Sequence, residues 1–248
     1  MDRKFWNKLS ANYNKEIFNV SKRDKNGIVR KWVHSVSSPK KNIADFGCGV
    51  GNWLPMLSPK FKEVHAIDFS GEHLKQINKN YKALGNITTK NVDLTKIWKS
   101  KEKFDTMLCV NAILNAELSK RKIIYKNIQT NLKSGGHLVL VVPSIESVIF
   151  SHLTFEKINP KEVLKAAKTK EKINKVEYLN LKHGVMKLDT VFTKHHLKEE
   201  LFTTLIDLGF KNIKIDKVEY SWDTEIDNPP RSLKAPYPWD WIVMAQKR

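Results

Sequence analysis

Apolar and polar positions alternate in blocks along the chain. Five short runs suit buried or half-buried strands: 43–46 (IADF), 63–67 (EVHAI), 86–91 (NITTKN), 104–110 (FDTMLCV) and 136–142 (GHLVLVV). Between most of them apolar residues recur at the helical period, over 51–58, 70–83 and 117–132. In the last segment Leu118, Ile123, Ile124, Ile128 and Leu132 fall near a 3.6 spacing. It ends in "KSGG", a basic last turn followed by glycine. The link between the third and fourth strands has room only for a helical turn near 95–99. Strands and helices in alternation, joined by short crossovers, predict a parallel sheet with helices on both faces.

Two amphipathic segments, 3–18 and 25–36, precede the sheet. In the first, Trp6, Leu9, Tyr13 and Ile17 share one face, as in a docking helix. The stretch 145–185 is too long for a simple connection. It holds an apolar piece, "ESVIFSHLTF", then a lysine-rich helical pattern from "NPKEVLKAAKTKEK", and reads as an inserted cap. A helix at 195–208, begun by His195 and His196, is stopped by Gly209. Two closing strands are expected at 212–220 and 240–246. The organisation expected is a single domain over 1–248, with an N-terminal helical lid at 1–37 and the cap at 145–185.

Composition narrows the class. With 248 residues, 41% of them hydrophobic, the chain can bury a large core. No apolar run reaches the length of a membrane span. The start, "MDRKFWNKLSANYNKEIF", lacks the apolar stretch and small-residue cleavage site of a signal peptide. The two cysteines, Cys48 and Cys109, read as small core residues with reduced thiols, so a cytoplasmic protein is expected. The net charge of +18 invites a nucleic-acid partner. Yet the basic residues are 38 Lys and only 6 Arg, scattered along the chain. Base and phosphate readout favours the planar fork of Arg, so a solvated lysine surface is the simpler reading.

The candidate chemistry lies in "IADFGCGVGNW", residues 43–53. Gly47, Gly49 and Gly51 read G-x-G-x-G, one residue short of the spacing that cradles a dinucleotide pyrophosphate. Asp45 just before the turn suits a ligand with a positive end, unless it only caps the turn. Asp68 ends the second strand, where an acid can accept ribose hydroxyls. It could instead cap the following helix, although Ser70 fits that role better. Asp93 in "NVDLT" can accept from an adenine amino group or serve as a plain turn residue. Asn111, across the cleft from the glycine turn, can line it or simply end its strand.

From these residues the chain resembles the class I S-adenosylmethionine-dependent methyltransferase family over most of its length. "DFGCGVG", "AIDFS", "NVDL", "FDTMLCVNAI" and "LKSGGHLVLVVPS" look like its five motifs in order, and "FWNKLSANYN" like its N-terminal lid. The resemblance implies a Rossmann-like seven-stranded sheet of order 3-2-1-4-5-7-6, strand 7 antiparallel, with the helical cap as a departure. It implies S-adenosyl-L-methionine as cofactor and S-adenosyl-L-homocysteine as product. It places Asp45, Gly47 and Gly49 at the methionine part and Asp68 at the ribose. Phe69, Asp93, Leu94 and Asn111 complete the cofactor pocket, and Tyr13 of the lid reaches it.

The acceptor side is less defined. With strand 7 antiparallel, the link 221–238 must lie at the carboxyl edge of the sheet. Trp222, Glu225 and Trp239 there suit a cationic or aromatic substrate, or the tryptophans simply pack the hairpin base. Trp53 reads as packing the first helix. His195, His196 and Asp223 are candidate proton acceptors, with His152 and His183 behind them. No spacing of His, Cys and acids suggests a metal site. The fourth motif lacks an "NPPY"-type clamp, which shifts weight to a small-molecule acceptor at N or O. An RNA or protein acceptor, held by a basic face that includes the lysines of 161–175, is the rival enzyme. A non-catalytic cofactor-binding module is the rival of another class.

Overall fold

The computed structural model describes residues 3–158, 183–188 and 191–248. β1 (Ser38–Phe46), β2 (Phe61–Asp68), β3 (Ile87–Asn91), β4 (Phe104–Val110) and β5 (Leu132–Pro143) run parallel. β6 (Val185–Leu188) and β7 (Val191–Lys194) form a separate antiparallel pair. β8 (Phe210–Glu219) and β9 (Trp239–Lys247) complete a seven-stranded sheet of order β3-β2-β1-β4-β5-β9-β8, with β9 antiparallel to both neighbours. This is the expected topology, with β8 and β9 as the sixth and seventh strands of the sheet.

Strand alternation sorts the core into two layers. Ala44, Phe46, Met107, Cys109, Leu138, Leu140 and Val142 face one way. They pack on Ile124 and Ile128 of α7 (Leu118–Asn131) and on Leu201 and Leu205 of α9 (Lys198–Asp207). Ile43, Leu108, Val139, Val141 and Ile242 face the other way. They meet α4 (Ile28–Val36), α5 (Leu54–Leu57) and α6 (Gly71–Asn80) through Val29, Val33, Leu54, Leu57, Leu74 and Ile77. Trp53 and Cys48 join this second layer as buried packing residues, and Cys109 lies in the first.

The link from β3 to β4 contains no helix, only a turn, so its backbone needs partners from elsewhere. Two buried asparagines of α7 supply them. Asn127 donates to the carbonyls of Leu94 and Lys96 and accepts from Trp98 N–H. Asn131 donates to Trp98 O and accepts from Ser100 N–H. The apolar pattern of α7 missed this polar face, and Leu118, counted as part of the stripe, is 39% exposed.

The N-terminal segment is broken into α1 (Arg3–Leu9), α2 (Tyr13–Glu16) and α3 (Val20–Arg23), not one helix over 3–18. It lies along the carboxyl edge of the sheet and is tied at both ends. At the β2 side, Ser70 Oγ donates to Asn7 Oδ1 and Gln76 Nε2 donates to Ser10 O. At the β8 side, Phe18 packs edge-on to Tyr220 and Asn26 donates to Glu219.

After β5, α8 (Ile145–Lys157) starts the region expected to form a cap. Ser144 caps it by accepting from Ser147 N–H at 3.0 Å. The lysine-rich pattern that follows, including residues 161–175, lies outside the described residues. The chain returns extended beside the end of β5. His196 N–H donates to Pro143 O, and Ile145 N–H donates to His196 O. The last helix therefore starts at Lys198 instead of His195.

Asn127 is the anchor of the helix-free link. We expect Asn127→Ala to lower stability by about 3 kcal/mol, because it strands two carbonyls and an N–H and leaves a cavity. Urea unfolding measures this. A loss below about 1 kcal/mol would mean that the link is held by other contacts.

Candidate cofactor and acceptor site

The glycine turn is fixed from behind. Gly47 and Cys48 N–H both donate to Ile67 O, at 2.8 and 3.0 Å, which locks the turn to the end of β2. Gly47 has φ +84°, and a Cβ there would lie 2.5 Å from the Ala112 Cβ. Gly49 has φ +52°, and a Cβ there would lie 2.7 Å from the Tyr13 hydroxyl. Glycine is required at both positions for its backbone angles and for close approach. Tyr13 thus lies directly over the turn, edge-on to His73 at 5.0 Å. Burial first, then the charge of Asp68, raises its phenol.

Asp45 is 1% exposed and its Oδ2 has no hydrogen-bond partner in the protein. Burial, and next the Asp68 charge, push its carboxyl up to about 7. A buried carboxylate oxygen with no donor is costly, and a cationic N–H ligand would relieve that cost. Asp68 stands closer to the loop. Its Oδ2 accepts from Gly49 N–H at 3.0 Å and its Oδ1 from Ser70 N–H at 2.8 Å. His73 Nδ1 lies 3.4 Å from the same Oδ1. Ser70, not Asp68, caps α6, accepting from His73 N–H.

Asp93 Oδ1 closes a turn by accepting from Thr95 N–H and Oγ1–H, at 3.0 and 2.6 Å. Leu94 beside it is buried next to Gly47, and Phe69 is half-buried after Asp68. Asn111 leaves β4 in the left-handed region, φ +48°, while its N–H still donates to Val141 O. Its Nδ2 donates to Asp240 Oδ2 at 3.2 Å, and its Oδ1 is buried without a partner. The carboxylate acceptor fixes which way this amide faces.

The loop 113–116 after β4 is held by groups from the returning chain and α7. Lys194 N–H donates to Leu114 O, and His196 Nε2 lies 3.3 Å from Ile113 O. Arg121, itself buried, donates to Asn115 O and Ala116 O.

The acceptor-side candidates fall in different places. Trp222 and Trp239 are buried, and both pack on Phe150 of α8, at 5.8 and 5.7 Å. Trp222 Nε1 donates to Lys234 O. A hollow of about 490 Å³ lies beside Trp222, lined by Phe150, Lys157 and residues 232–236, and none of the cofactor candidates borders it. Glu225 is exposed and accepts from Thr224 Oγ1–H at 3.3 Å. Asp223 is exposed and pairs with Arg23 at 2.6 Å, so it straps the link to the N-terminal segment. His195 and His196 are both buried. Burial lowers His195 to about 4 and pulls His196 well down, so both imidazoles are neutral. His152 and His183 are half-buried.

Sequence reading missed Asp240 and Tyr220. Tyr220 Oη donates to Asp240 Oδ2 at 2.8 Å, and burial pushes that carboxyl up to about 6. The signal was "WDW" at 239–241: in an alternating strand the aspartate must face away from both tryptophans.

A parallel sheet with a single antiparallel strand beside its edge, and acids at the ends of β1 and β2 around a glycine turn, define the class I methyltransferase fold. Residues 43–136 match the family model described as a methyltransferase domain. No curated protein matches the chain significantly. Solved structures share its fold over nearly its full length. An S-adenosylhomocysteine complex of DhpI has 14% identity and a TM-score of 0.62, covering 99% of this chain and 94% of that one. A methyltransferase from Anabaena variabilis has 15% identity and a TM-score of 0.63, covering 99% and 93%. The N-methyltransferase NodS from Bradyrhizobium japonicum has 11% identity and a TM-score of 0.62, covering 99% and 97%. The chain thus contains a methyltransferase domain and has the fold of class I methyltransferases over nearly its full length.

Because burial raises Asp45, the folded chain holds a proton that the unfolded chain has lost between about pH 4 and pH 7. Stability without ligand therefore falls as pH rises through that window. Asp45→Asn removes the penalty. We expect the variant to exceed wild type by roughly 3 kcal/mol at pH 8 and to equal it near pH 4. Urea unfolding at the two pH values checks this, and a difference that ignores pH would rule out the carboxylate as its cause.

Proposed function

We propose that the chain transfers the methyl group of S-adenosylmethionine to a small-molecule acceptor. The observation that carries this is the unpartnered, fully buried oxygen of Asp45 beside a turn that admits only glycine. The residues present fit the cofactor. Asp45 would hold its ammonium, and the Gly47–Gly49 backbone would approach its methionine part. Asp68 would accept the ribose hydroxyls. Asp93, whose Oδ1 is taken by Thr95, would offer Oδ2 to the adenine amino group, with Phe69 and Leu94 flanking. Tyr13 would close over the turn. When bound, the cofactor supplies an electrophilic methyl on a sulfonium.

The protein's part is alignment and exclusion of water. The N-terminal segment supports a small acceptor, because it is tied across the carboxyl edge from Ser70 to Glu219 and roofs the cleft. The lysines of 161–175, on which an RNA or protein acceptor was argued, lie outside the described residues. Among the described residues no helix is long and apolar enough to cross a membrane.

S-adenosylhomocysteine at 100 times its dissociation constant should stabilise the protein by about 2.7 kcal/mol. For a chain of this length that is a Tm rise of roughly 5–10 °C. Asp68→Asn should lose most of it. Labelled methyl transfer into an extract of small metabolites should follow. A ligand shift with no turnover on any extract would favour the non-catalytic module. No shift in folded wild type would sink the reading.

A further inference from the structure

Asp45 and Asp240 project from the same face of the sheet. Asp45 alternates with Ala44 and Phe46, and Asp240 with Trp239 and Trp241, and all four of those neighbours pack in the opposite layer. Asp240 pairs with Pro143 at the last register position of β5, so it stands at the carboxyl edge. Asn111, at the exit of β4, bridges toward it from the glycine-turn side. Tyr220 donates to it, and Phe18 of the N-terminal segment packs on Tyr220 in turn.

This arrangement is expensive as pure architecture. Asp240 is 9% exposed and receives two donors on one oxygen, Oδ2. No cation pairs with it among the described residues. Burial raises the carboxyl despite those two donors. A buried acid so placed would be better replaced by an apolar side chain unless it serves a ligand. A second feature points the same way. Asn111 Oδ1 is a buried acceptor without a donor, on the amide whose Nδ2 donates to Asp240. Asp45, Asp68 and Asp240 are all buried at one edge of a chain whose net charge is +18. The local field therefore favours a cation with N–H donors, against the sign of the protein as a whole.

We infer that Asp240, oriented by Tyr220 and flanked by Asn111, is the acceptor site, and that the acceptor is an amine. This rests on the methyltransferase reading above. An ammonium enters as the cation that Asp240 and Asn111 Oδ1 hold. Its proton passes to the Asp240 carboxylate, which exposes the nitrogen lone pair. The new N–C bond forms as the methyl's bond to sulfur breaks, and that electron pair stays on sulfur. The product leaves as a methylated ammonium and Asp240 returns its proton to water. Charge and atoms balance with one proton released per turnover. Tyr220 acts through Asp240 and is a positioning residue.

The test uses a panel of alkyl and aryl amines, each matched with the alcohol of the same skeleton, such as 2-phenylethylamine with 2-phenylethanol. Labelled methyl transfer is read on each. Amine binding is read separately, as a thermal shift of the S-adenosylhomocysteine complex. We expect methyl transfer to amines and not to their alcohols. Asp240→Asn should keep S-adenosylhomocysteine affinity within about twofold, lose the amine-dependent shift, and lower turnover on the order of 100-fold. Tyr220→Phe, a milder change, should lower turnover less at unchanged cofactor affinity. Transfer to the alcohols instead, unchanged turnover in Asp240→Asn, or a formed S-adenosylhomocysteine complex that neither binds nor methylates any amine would overturn the inference. Wild type that fails to bind S-adenosylhomocysteine would overturn the methyltransferase reading beneath it.

Discussion

Everything at the carboxyl edge follows from one constraint: Asp45 is a buried carboxyl with an oxygen that no protein group satisfies. Protein interiors exclude such groups unless something compensates. Under the proposed function, that compensation comes from the ligand. Gly47 and Gly49 carry no side chain at the turn beside Asp45, Tyr13 covers that turn, and Asp68 stiffens it by accepting from Gly49 N–H. The charge of Asp68 also raises Asp45.

A cleft of this kind needs its walls fixed, and the chain fixes them with polar side chains aimed at loop backbone. Asn127 and Asn131 hold the link that carries Asp93 and Leu94. Arg121, His196 and the Lys194 N–H hold the loop that follows Asn111. Lys194 itself is 2% exposed and paired to Glu200 at 2.6 Å, so the returning strand is anchored in turn. Loops held in this way keep the positions of Asp93 and Asn111 without needing regular structure around them.

The sheet and the glycine turn were legible because each depends on short-range pattern. Period-2 and period-3.6 runs placed every strand of the large sheet within a few residues, although β1 begins at Ser38 and not at 43. The G-x-G-x-G spacing after Asp45 marked the turn within seven residues. What stayed hidden depends on long-range contact. Asn127 reads as a polar interruption of α7 until the helix-free link is seen against it. The β6–β7 pair, which begins at the last residue of the stretch read as cap, went unread because its strands are only four residues long. His195 and His196 read as a helix start because nothing in "TKHHLKEE" marks the backbone pairing of His196 with Pro143. Trp222 and Trp239 drew the eye as ligand aromatics, yet each has a packing partner in Phe150 that the sequence separates from it by many residues.

Asp240 shows why the acceptor side is harder to read than the cofactor side. The cofactor acids lie at the ends of consecutive strands, where chain order and spatial order agree. Asp240 reaches the edge only because β9 runs backwards between β5 and β8, which brings residue 240 beside residue 143 and within a hydrogen bond of residue 111. An antiparallel strand presents its first residue where its neighbours present their last. The one strand that breaks the parallel order is thus the one that can deliver a new side chain to the end of the cleft. Its neighbours on that strand, Trp239 and Trp241, bind it to the opposite layer and hold the aspartate facing inward. Under the proposed function, the cofactor acids are carried by parallel strands, while the antiparallel strand carries the residue that faces the acceptor.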